Sequence, residues 1–356
     1  MRTGRRMPRK KVGIRDVAAA AGVSVTTVSH VLNDTPHTRT SDETKSRVRE
    51  AASRLGYQPN RLARGLRTQA SGMVGLLTEE IATTPHAGRI ILGAQEEASR
   101  HNLTLAIINS TLRHDADIEP SEVQAFLDRQ VDGIIYATVY HDEVVPPDQM
   151  HAVASVLIGA RDRGGAVPSV MPDERAGAAS VIDLLVRLGH RRIAFAATSV
   201  DVPATRGRLR GYRDGMAAAG LDPDAFVVEA VSEAAGGYDA TMALLDHGRS
   251  PTDRPTAVFC YNDRMAMGAY RAAAELGLSV PRDVSVVGFD DQDPIAASLY
   301  PPLTKVALPH YEMGVWAVET LTSLIEGHDE FRLLGAHPVL LACPIVERAS
   351  VAPPSR

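Results

Sequence analysis

Apolar residues recur at helical spacing in three short stretches near the start of the chain. The first runs from Ile14 to Ala21, and Gly22 interrupts it. Ser24 is a suitable N-cap for a second helix that extends to about Leu32. The third helix is predicted to begin at the capping-box spacing of Thr40 and Glu43. Two short helices joined by a glycine turn and followed by a third are typical of a helix-turn-helix unit.

A short basic segment follows this three-helix unit. Pro59 and Asn60 predict a boundary, and residues 60–67 have the composition for two helical turns. A helix of that length is marginal in water, and Gly65 costs it a further ~1 kcal/mol against alanine. We therefore expect this segment to fold only when something holds it, with residues 68–72 as a connection.

From Met73 onward, short apolar runs alternate with helical stretches. The predicted strands are residues 73–77, 103–108, 133–137, 153–158, 193–197, 257–261 and 284–289. The predicted helices include residues 88–100, 176–188, 208–219 and 265–276. Apolar strands that alternate with helices indicate parallel sheets covered on both faces. Their number favours two doubly wound α/β lobes, in which ligands bind outside the carboxyl ends of the strands.

Charge is distributed unevenly along the chain. Residues 1–69 hold 15 basic and 5 acidic residues, a net charge of +10, and the remainder holds 23 basic and 38 acidic residues, a net charge of −15. A basic head on an acidic body indicates that only the head meets a polyanion. The alternative is a solvated basic tail, because six of these charges lie within residues 2–11.

Several classes of protein are not supported by the sequence. No apolar run is long enough for a transmembrane helix, and no apolar segment follows the basic N-terminus as in a secretory signal. Cys260 and Cys343 form no metal-binding or disulfide pattern, and we expect both side chains to be buried in the protein core. Their small number is consistent with a reducing cytoplasm. Nucleotide-binding, zinc-protease and serine-hydrolase motifs are missing. We therefore expect no enzyme activity, no cofactor and no metal.

Polar side chains follow the predicted strands of the second lobe. Asn262 and Asp263 follow one strand, Asp290 ends another, and Arg206 is expected in a loop before a helix. A carboxylate, an amide and an arginine can bind vicinal hydroxyls by directional hydrogen bonds. Asp263 has an alternative interpretation as the N-cap of a helix that begins near Arg264.

These motifs together resemble the LacI/GalR family of bacterial transcription regulators. The matching segments are Ile14–Ala18, Ala21–Ser24, Thr27–Asn33, Leu55–Asn60, Ala63-Arg64, Leu66, Arg187–Ile193, Asn262–Ala266, Val286–Asp291 and Pro302–Thr304. The resemblance covers residues 12 to about 349, in order. It implies a helix-turn-helix head, a hinge helix and a two-lobed body similar to periplasmic sugar-binding proteins.

The resemblance also assigns DNA-contacting roles in the head. Val25, Thr26 and His30 would read base edges in the major groove. The groups that would position the protein on phosphates are Ser24, Thr27, Ser29, Asn33 and Tyr57.

In the family, paired hinge helices enter the minor groove. Leu66 would then wedge between base pairs, with Ala63 and Arg64 on the same helix. The alternative is that Leu62 and Leu66 form only a contact between two hinges. The wedge requires two chains, so a homodimer and a palindromic double-stranded operator follow.

The same resemblance places a small-molecule effector between the two lobes. Its predicted contacts are Thr84, His86, Arg206, Asn262, Asp263 and Asp290. A sugar or sugar derivative is the expected effector, and phosphorylated sugars, nucleosides and purines remain open. The alternative functions are a sugar-binding transport receptor and a carbohydrate enzyme.

Taken together, these features predict a cytoplasmic, ligand-controlled repressor without a membrane partner. The chain is predicted to have five parts. The parts are a basic tail (1–11), the helix-turn-helix DNA-binding domain (12–58), the hinge helix and linker (59–72), the two-lobed effector-binding and dimerisation body (73–349) and a C-terminal tail (350–356).

Overall fold

The computed structural model separates the chain into two compact units, Met1–Ser71 and Gly72–Arg356. The residues described in these units are 12–32, 39–57, 70–79, 81–83, 87–110, 118–138, 143–245, 253–292, 295–328 and 337–355. The hinge segment predicted at residues 60–67 lies outside them.

The first unit is a three-helix bundle. Its helices are α1 (Ile14–Ala21), α2 (Val25–Leu32) and α3 (Asp42–Leu55). Val17, Val28 and Val48 are fully buried at its centre, one from each helix. Gly22 adopts a left-handed conformation with a φ of 66°, which ends α1 and turns the chain towards α2.

The N-cap predicted for the third helix is wrong by one residue. Ser41, not Thr40, precedes α3, and its side-chain oxygen accepts a hydrogen bond from the Thr44 backbone at 3.4 Å. Both residues are good capping types, so their order alone could not decide between them.

The second unit contains the two predicted α/β lobes, each built on a six-stranded sheet. The helices of this unit are α4 (Gly88–Arg100), α5 (Pro120–Leu127), α6 (Glu174–Arg187), α7 (Pro203–Ala218), α8 (Ala234–Leu245), α9 (Asp263–Glu275), α10 (Ile295–Ser298) and α11 (His310–Ile325). Short 3₁₀ turns lie at Ile81–Thr83 and Asp148–Ala152.

The strands of the first sheet are β1 (Met73–Glu79), β2 (Thr104–Ser110), β3 (Gly133–Ala137), β5 (Ala154–Ile158), β7 (Ser169–Pro172) and β13 (Val339–Leu341). Their order is β13-β7-β5-β3-β1-β2, and all neighbouring strands are parallel. A small separate pair is formed by β4 (Glu143–Val144) and β6 (Arg161–Asp162).

The strands of the second sheet are β8 (Ile193–Thr198), β9 (Val227–Ala230), β10 (Ala257–Cys260), β11 (Ser285–Asp290), β12 (Thr304–Ala307) and β14 (Ile345–Val346). Their order is β14-β12-β11-β10-β8-β9, and the sheet is parallel except for its β12–β14 pair. Continuous burial along β8, β10 and β11 explains their unbroken apolar sequences.

The chain crosses between the lobes three times. It leaves the first lobe between β7 and α6, returns between β12 and α11, and leaves again between β13 and β14. The Asp173 backbone donates to Leu341 at 2.8 Å, and the Ala307 backbone donates to Pro344 at 2.9 Å. The three crossovers therefore lie side by side and are joined by backbone hydrogen bonds.

Residues 350–355, part of the segment predicted as a C-terminal tail, pack on the second lobe. Ser350 is fully buried, and its hydroxyl donates to the Val286 carbonyl at 2.6 Å. The Ala352 carbonyl lies 2.9 Å from a ring nitrogen of the buried His190. The folded second lobe thus extends past the boundary predicted at residue 349.

Helices α4 and α11 approach each other closely because glycines lie at their crossing. A Cβ on Gly93 would lie 2.1 Å from the Tyr311 carbonyl oxygen, and one on Gly314 would lie 2.2 Å from the Ile90 oxygen. The helices α8 and α9 use Gly237 in the same way.

Replacing Gly93 with alanine should force α4 and α11 apart. We expect Gly93→Ala to lower the free energy of unfolding by about 1–3 kcal/mol through overpacking. Gly88→Ala is the matched control, because a Cβ there meets no heavy atom within 4 Å. Urea unfolding of both variants checks this, and equal stabilities would contradict the packing argument.

Candidate functional site

The exposed start of α2 carries two of the predicted base-reading residues. Ser24 caps the helix, since its hydroxyl oxygen accepts a hydrogen bond from the Thr27 backbone at 3.0 Å. Val25 is 41% exposed and Thr26 is also exposed, both in the first turn. His30 lies half-buried in the last turn. The capped first turn therefore leaves the side chains of Val25 and Thr26 exposed to solvent.

The other predicted DNA contacts divide into described and undescribed residues. Thr27 and Ser29 are half-buried on α2, and Tyr57 is half-buried against the core of the bundle. Four predicted residues lie outside the described part of the chain: Asn33, Ala63, Arg64 and Leu66.

In the second lobe, Arg208 is the centre of a buried ionic cluster. Only 3% of its side chain is exposed. Its guanidinium donates to both carboxylate oxygens of Glu174, at 2.7 and 3.1 Å, and pairs with Asp290 at 2.7 Å. A further bond of 2.6 Å reaches the Tyr261 carbonyl. One guanidinium thus links α6, α7 and the carboxyl ends of β10 and β11.

Two aromatic rings pack against this guanidinium. The Arg208 Cζ atom lies 4.5 Å from the Tyr261 ring centroid and 3.9 Å from that of Phe289. Burial alone would lower the pKa of Arg208, but Asp290 and Glu174 outweigh it and the pKa is raised. The arginine is therefore a fixed cation at this edge of the sheet.

The structure places Arg206 away from this cluster. The expectation that it precedes the helix is wrong, because α7 begins at Pro203 and includes it. Its side chain is 58% exposed and pairs with Asp201 at 2.6 Å. Residues two apart on a helix point about 200° apart, so Arg206 faces solvent where Arg208 faces the protein.

Asn262, not Asp263, caps the helix that follows β10. The Asn262 amide oxygen accepts from the Met265 backbone at 2.8 Å, and its amide nitrogen donates to the Ser232 carbonyl at 3.1 Å. Asp263 is the first residue of α9, so the alternative of Asp263 as the N-cap is wrong. The polar atoms of Asn262 are engaged in holding α9 in position.

Asp263 is a buried carboxyl with one unsatisfied oxygen. Its Oδ2 accepts from the Gln292 backbone at 2.8 Å, whereas Oδ1 has no hydrogen-bond partner within the described residues. A Cβ on residue 288 would lie only 2.3 Å from this Oδ1, so only glycine fits at position 288. Burial, with a smaller effect of Asp290, raises the pKa of Asp263 to about 7.

Gln292 connects Asp263 to the arginine cluster. Its backbone binds Asp263, and its side-chain amide donates to Asp290 at 3.0 Å. Asp290 and Asp291 both have a positive φ, 101° and 69°, which is uncommon for residues other than glycine. The resulting turn sends two consecutive carboxylates to different partners.

Asp291 joins the two lobes. It pairs with the fully buried Lys305 of β12, and Arg89 of α4 in the first lobe lies 4.0 Å from its other oxygen. Burial lowers the pKa of Lys305 to about 8, against the opposing effect of Asp263. The turn that carries Asp290 therefore also contacts the opposite lobe.

Sequence analysis did not predict site roles for Glu174, Arg208 and Gln292. A local signal for the burial of Arg208 was nevertheless available. Pro203 favours the first helical position, and Gly207 and Gly211 mark the face of α7 that packs on α6. The predicted Thr84 and His86 lie outside the described residues. Cys260 and Cys343 are buried free thiols, as predicted.

The cluster offers directional donors and acceptors but no metal site. Within the part of the chain that the structure describes, no group of three histidine, cysteine or acidic residues could hold a metal ion. Among those residues, no helix is both long and apolar enough to span a bilayer.

Comparison with known proteins supports both halves of this architecture. Residues 13–60 match the family of bacterial regulatory proteins of the lacI type, and residues 182–351 match a periplasmic binding protein-like domain. The regulator RegA of Clostridium saccharobutylicum is 34% identical over 88% of this chain and 92% of its own length. The ribose operon repressor of Escherichia coli is 32% identical, covering 86% and 91% respectively.

Solved structures agree with this assignment. A lac repressor dimer bound to operator and an anti-inducer superposes with a TM-score of 0.73 at 28% identity, covering 96% of this chain and all of that one. The fold and its head define a DNA-binding transcriptional regulator with a ligand-binding body. The chain belongs to the LacI family, which confirms both the predicted resemblance and the predicted fold class.

Removing the charge of Arg208 should destabilise the second lobe. Arg208→Gln leaves Glu174 and Asp290 buried without their cation, and we expect a loss of about 3–5 kcal/mol in the free energy of unfolding. Arg206→Gln is the matched control and should change it by less than about 1 kcal/mol, because its ion pair is exposed. Denaturant titration of both variants measures these losses. Comparable losses would refute the conclusion that Arg208, and not Arg206, is the centre of the buried ionic cluster.

The raised pKa of Asp263 predicts a pH-dependent stability. The folded state binds this proton more tightly than the unfolded state, in which the pKa is near 3.8. The resulting stabilisation is complete below pH ~4 and is lost as the pH rises through 7. Asp263→Asn cannot ionise, so its stability relative to the native protein should increase from pH 5 to pH 8.

Chemical denaturation at four pH values checks this expectation. Asp201→Asn is the control, since the Asp201 side chain is 78% exposed. A constant difference between the Asp263→Asn variant and the native protein across this range would contradict the raised pKa.

Proposed function

We propose that this protein is a dimeric, sequence-specific repressor whose affinity for its operator is controlled by a small molecule bound between the lobes. The observation that supports the proposal is that one chain contains both a helix-turn-helix head and a two-lobed body with a polar site. A capped helix with exposed Val25 and Thr26 lies in the head, and a buried ionic cluster lies at the carboxyl edge of a parallel sheet.

The head would read DNA through α2. Val25 can pack on a thymine methyl, Thr26 can pack or hydrogen-bond, and His30 can donate to a guanine edge. Ser24 and Thr27 lie next to these residues, and with Ser29, Asn33 and Tyr57 they are suited to phosphates. The hinge residues Ala63, Arg64 and Leu66 would enter the minor groove from two chains.

The effector would bind at the carboxyl edge of the second sheet. Asp290 and Arg208 are the proposed contacts there, and Arg208 replaces Arg206 because Arg206 is turned to solvent. Asn262 and Asp263 support the site by fixing α9 and the turn at Gln292. Thr84 and His86 are proposed to contribute from the first lobe.

Regulation would follow from linkage between the two sites. An effector that favours one arrangement of the lobes changes operator affinity, and DNA changes effector affinity by the same factor, typically through ~1–3 kcal/mol. The relatives with curated functions are regulators, which favours a cytoplasmic regulator without enzyme activity. The bound saccharides of solved neighbours, cellobiose and ribose, favour a sugar-like effector.

Selection of binders from a random duplex library tests the proposal. The full-length protein at physiological salt should recover a palindrome with a flexible pyrimidine–purine step at its centre. Repeating the selection with pooled sugars and nucleosides should strengthen or abolish that consensus. Failure to recover a consensus under either condition would exclude a sequence-specific repressor.

The hinge supplies a matched pair of variants for the selected operator. Leu66→Ala should weaken specific binding at least tenfold, since the wedge stabilises bent DNA, and leave nonspecific binding unchanged. Leu62→Ala should have a much smaller effect. Equal losses from both substitutions would instead support a contact between hinges alone.

A further inference from the structure

The buried cation of the proposed effector site is outnumbered by its carboxylate partners. Arg208 has five N–H groups, and its contacts with Glu174, Asp290 and the Tyr261 carbonyl use four of them. Two carboxylates face one guanidinium, so this part of the site has a formal charge of −1 when both are ionised. Asp263, linked through Gln292, can only make that charge more negative.

The other cations near this edge are also paired. Arg206 bonds Asp201, and Lys305 bonds Asp291. Arg89 of the first lobe lies 4.0 Å from an oxygen of the same Asp291. Arg206 and Lys305 of the second lobe therefore add no unmatched positive charge beside Arg208.

The backbone position of Glu174 is set by the start of α6. It is the first residue of α6, directly after the crossover from the first lobe, and Asp173 caps that helix through the Ala176 backbone at 2.9 Å. A Cβ on Gly207 would lie only 2.9 Å from the Glu174 Cβ, so α7 approaches it closely. The Glu174 backbone is therefore held against α7, which places its carboxylate within hydrogen-bond distance of Arg208.

An anionic ligand would meet an unfavourable environment here. A phosphate or carboxylate group would lie beside Glu174 and Asp290 and be repelled by both, and binding Arg208 through two oxygens would require it to displace one of them. A hydroxyl group faces no such barrier, because it can donate to carboxylate oxygens and accept from the remaining guanidinium or amide hydrogens.

We propose that Glu174 is a specificity-determining residue that, together with Asp290, excludes anions, and that the effector is an uncharged, hydroxyl-rich small molecule. Phosphorylated and carboxylated compounds are thereby rejected at the second lobe. The inference rests on the proposed function for the location of the effector site, and it narrows the class of ligand that this site admits.

Inorganic phosphate is the probe for this proposal. Equilibrium dialysis of radiolabelled phosphate against the full-length protein, at constant ionic strength, counts bound anions per chain. Glu174→Gln keeps the shape of the side chain but removes its charge, so it should bind one additional phosphate, at least tenfold more tightly than the native protein binds any at this site. A double variant with Asp290→Asn should bind it more tightly still.

Asp201→Asn is the matched control. It also removes one carboxylate from an arginine partner, but that arginine is exposed, so its phosphate binding should equal that of the native protein. Phosphate bound by the basic head is common to all variants and cancels in the comparison. The proposal is overturned if Glu174→Gln gains no site, or if Asp201→Asn gains as much.

Circular dichroism and gel filtration verify that each variant is folded. If Glu174→Gln does not fold, Asp290→Asn alone takes its place with the same expected gain. Binding to the selected operator is measured in parallel. If the native protein binds its operator but also binds phosphate at Arg208, the anion exclusion is refuted and the proposed regulator function is not affected. If no operator can be selected for the protein, the proposed function itself is refuted.

Discussion

A guanidinium buried away from water must be matched by carboxylates and hydrogen-bond acceptors, and much of the second lobe is arranged around this requirement. Arg208 meets it by drawing together the start of α6, the turn after β11 and the carbonyl of Tyr261. Replacing one partner would leave a buried charge unmatched, which is more costly than losing an exposed ion pair. The same contacts that position the proposed effector site therefore also hold helices and strands in register.

The larger features of the fold could be predicted because they depend on hydrophobic periodicity. Continuous apolar runs identified β8, β10 and β11, whose residues are buried on both faces. Strands such as β9, with its half-buried pattern, and the two-residue β14 were missed. Such strands are defined by pairing with distant partners, which leaves little trace in the local sequence.

The site was harder to predict because it depends on the phase of a helix and not only on residue type. Arg206 and Arg208 are chemically identical, and only the start of α7 at Pro203 decides which one is buried. Likewise, Asn262 and Asp263 are both good capping residues, and the structure assigns the cap to Asn262. The pairing of Glu174 with Arg208 could be recognised only from the packing of α6 against α7.

The three crossovers between the lobes have a mechanical consequence. They form a narrow band, because Asp173 is bonded to Leu341 and Ala307 to Pro344 across neighbouring segments. Twisting one lobe against the other would stretch those backbone bonds, whereas bending about an axis across the three segments would leave them intact. In such a bend, the residues of each lobe that lie farthest from the band would move the longest distance.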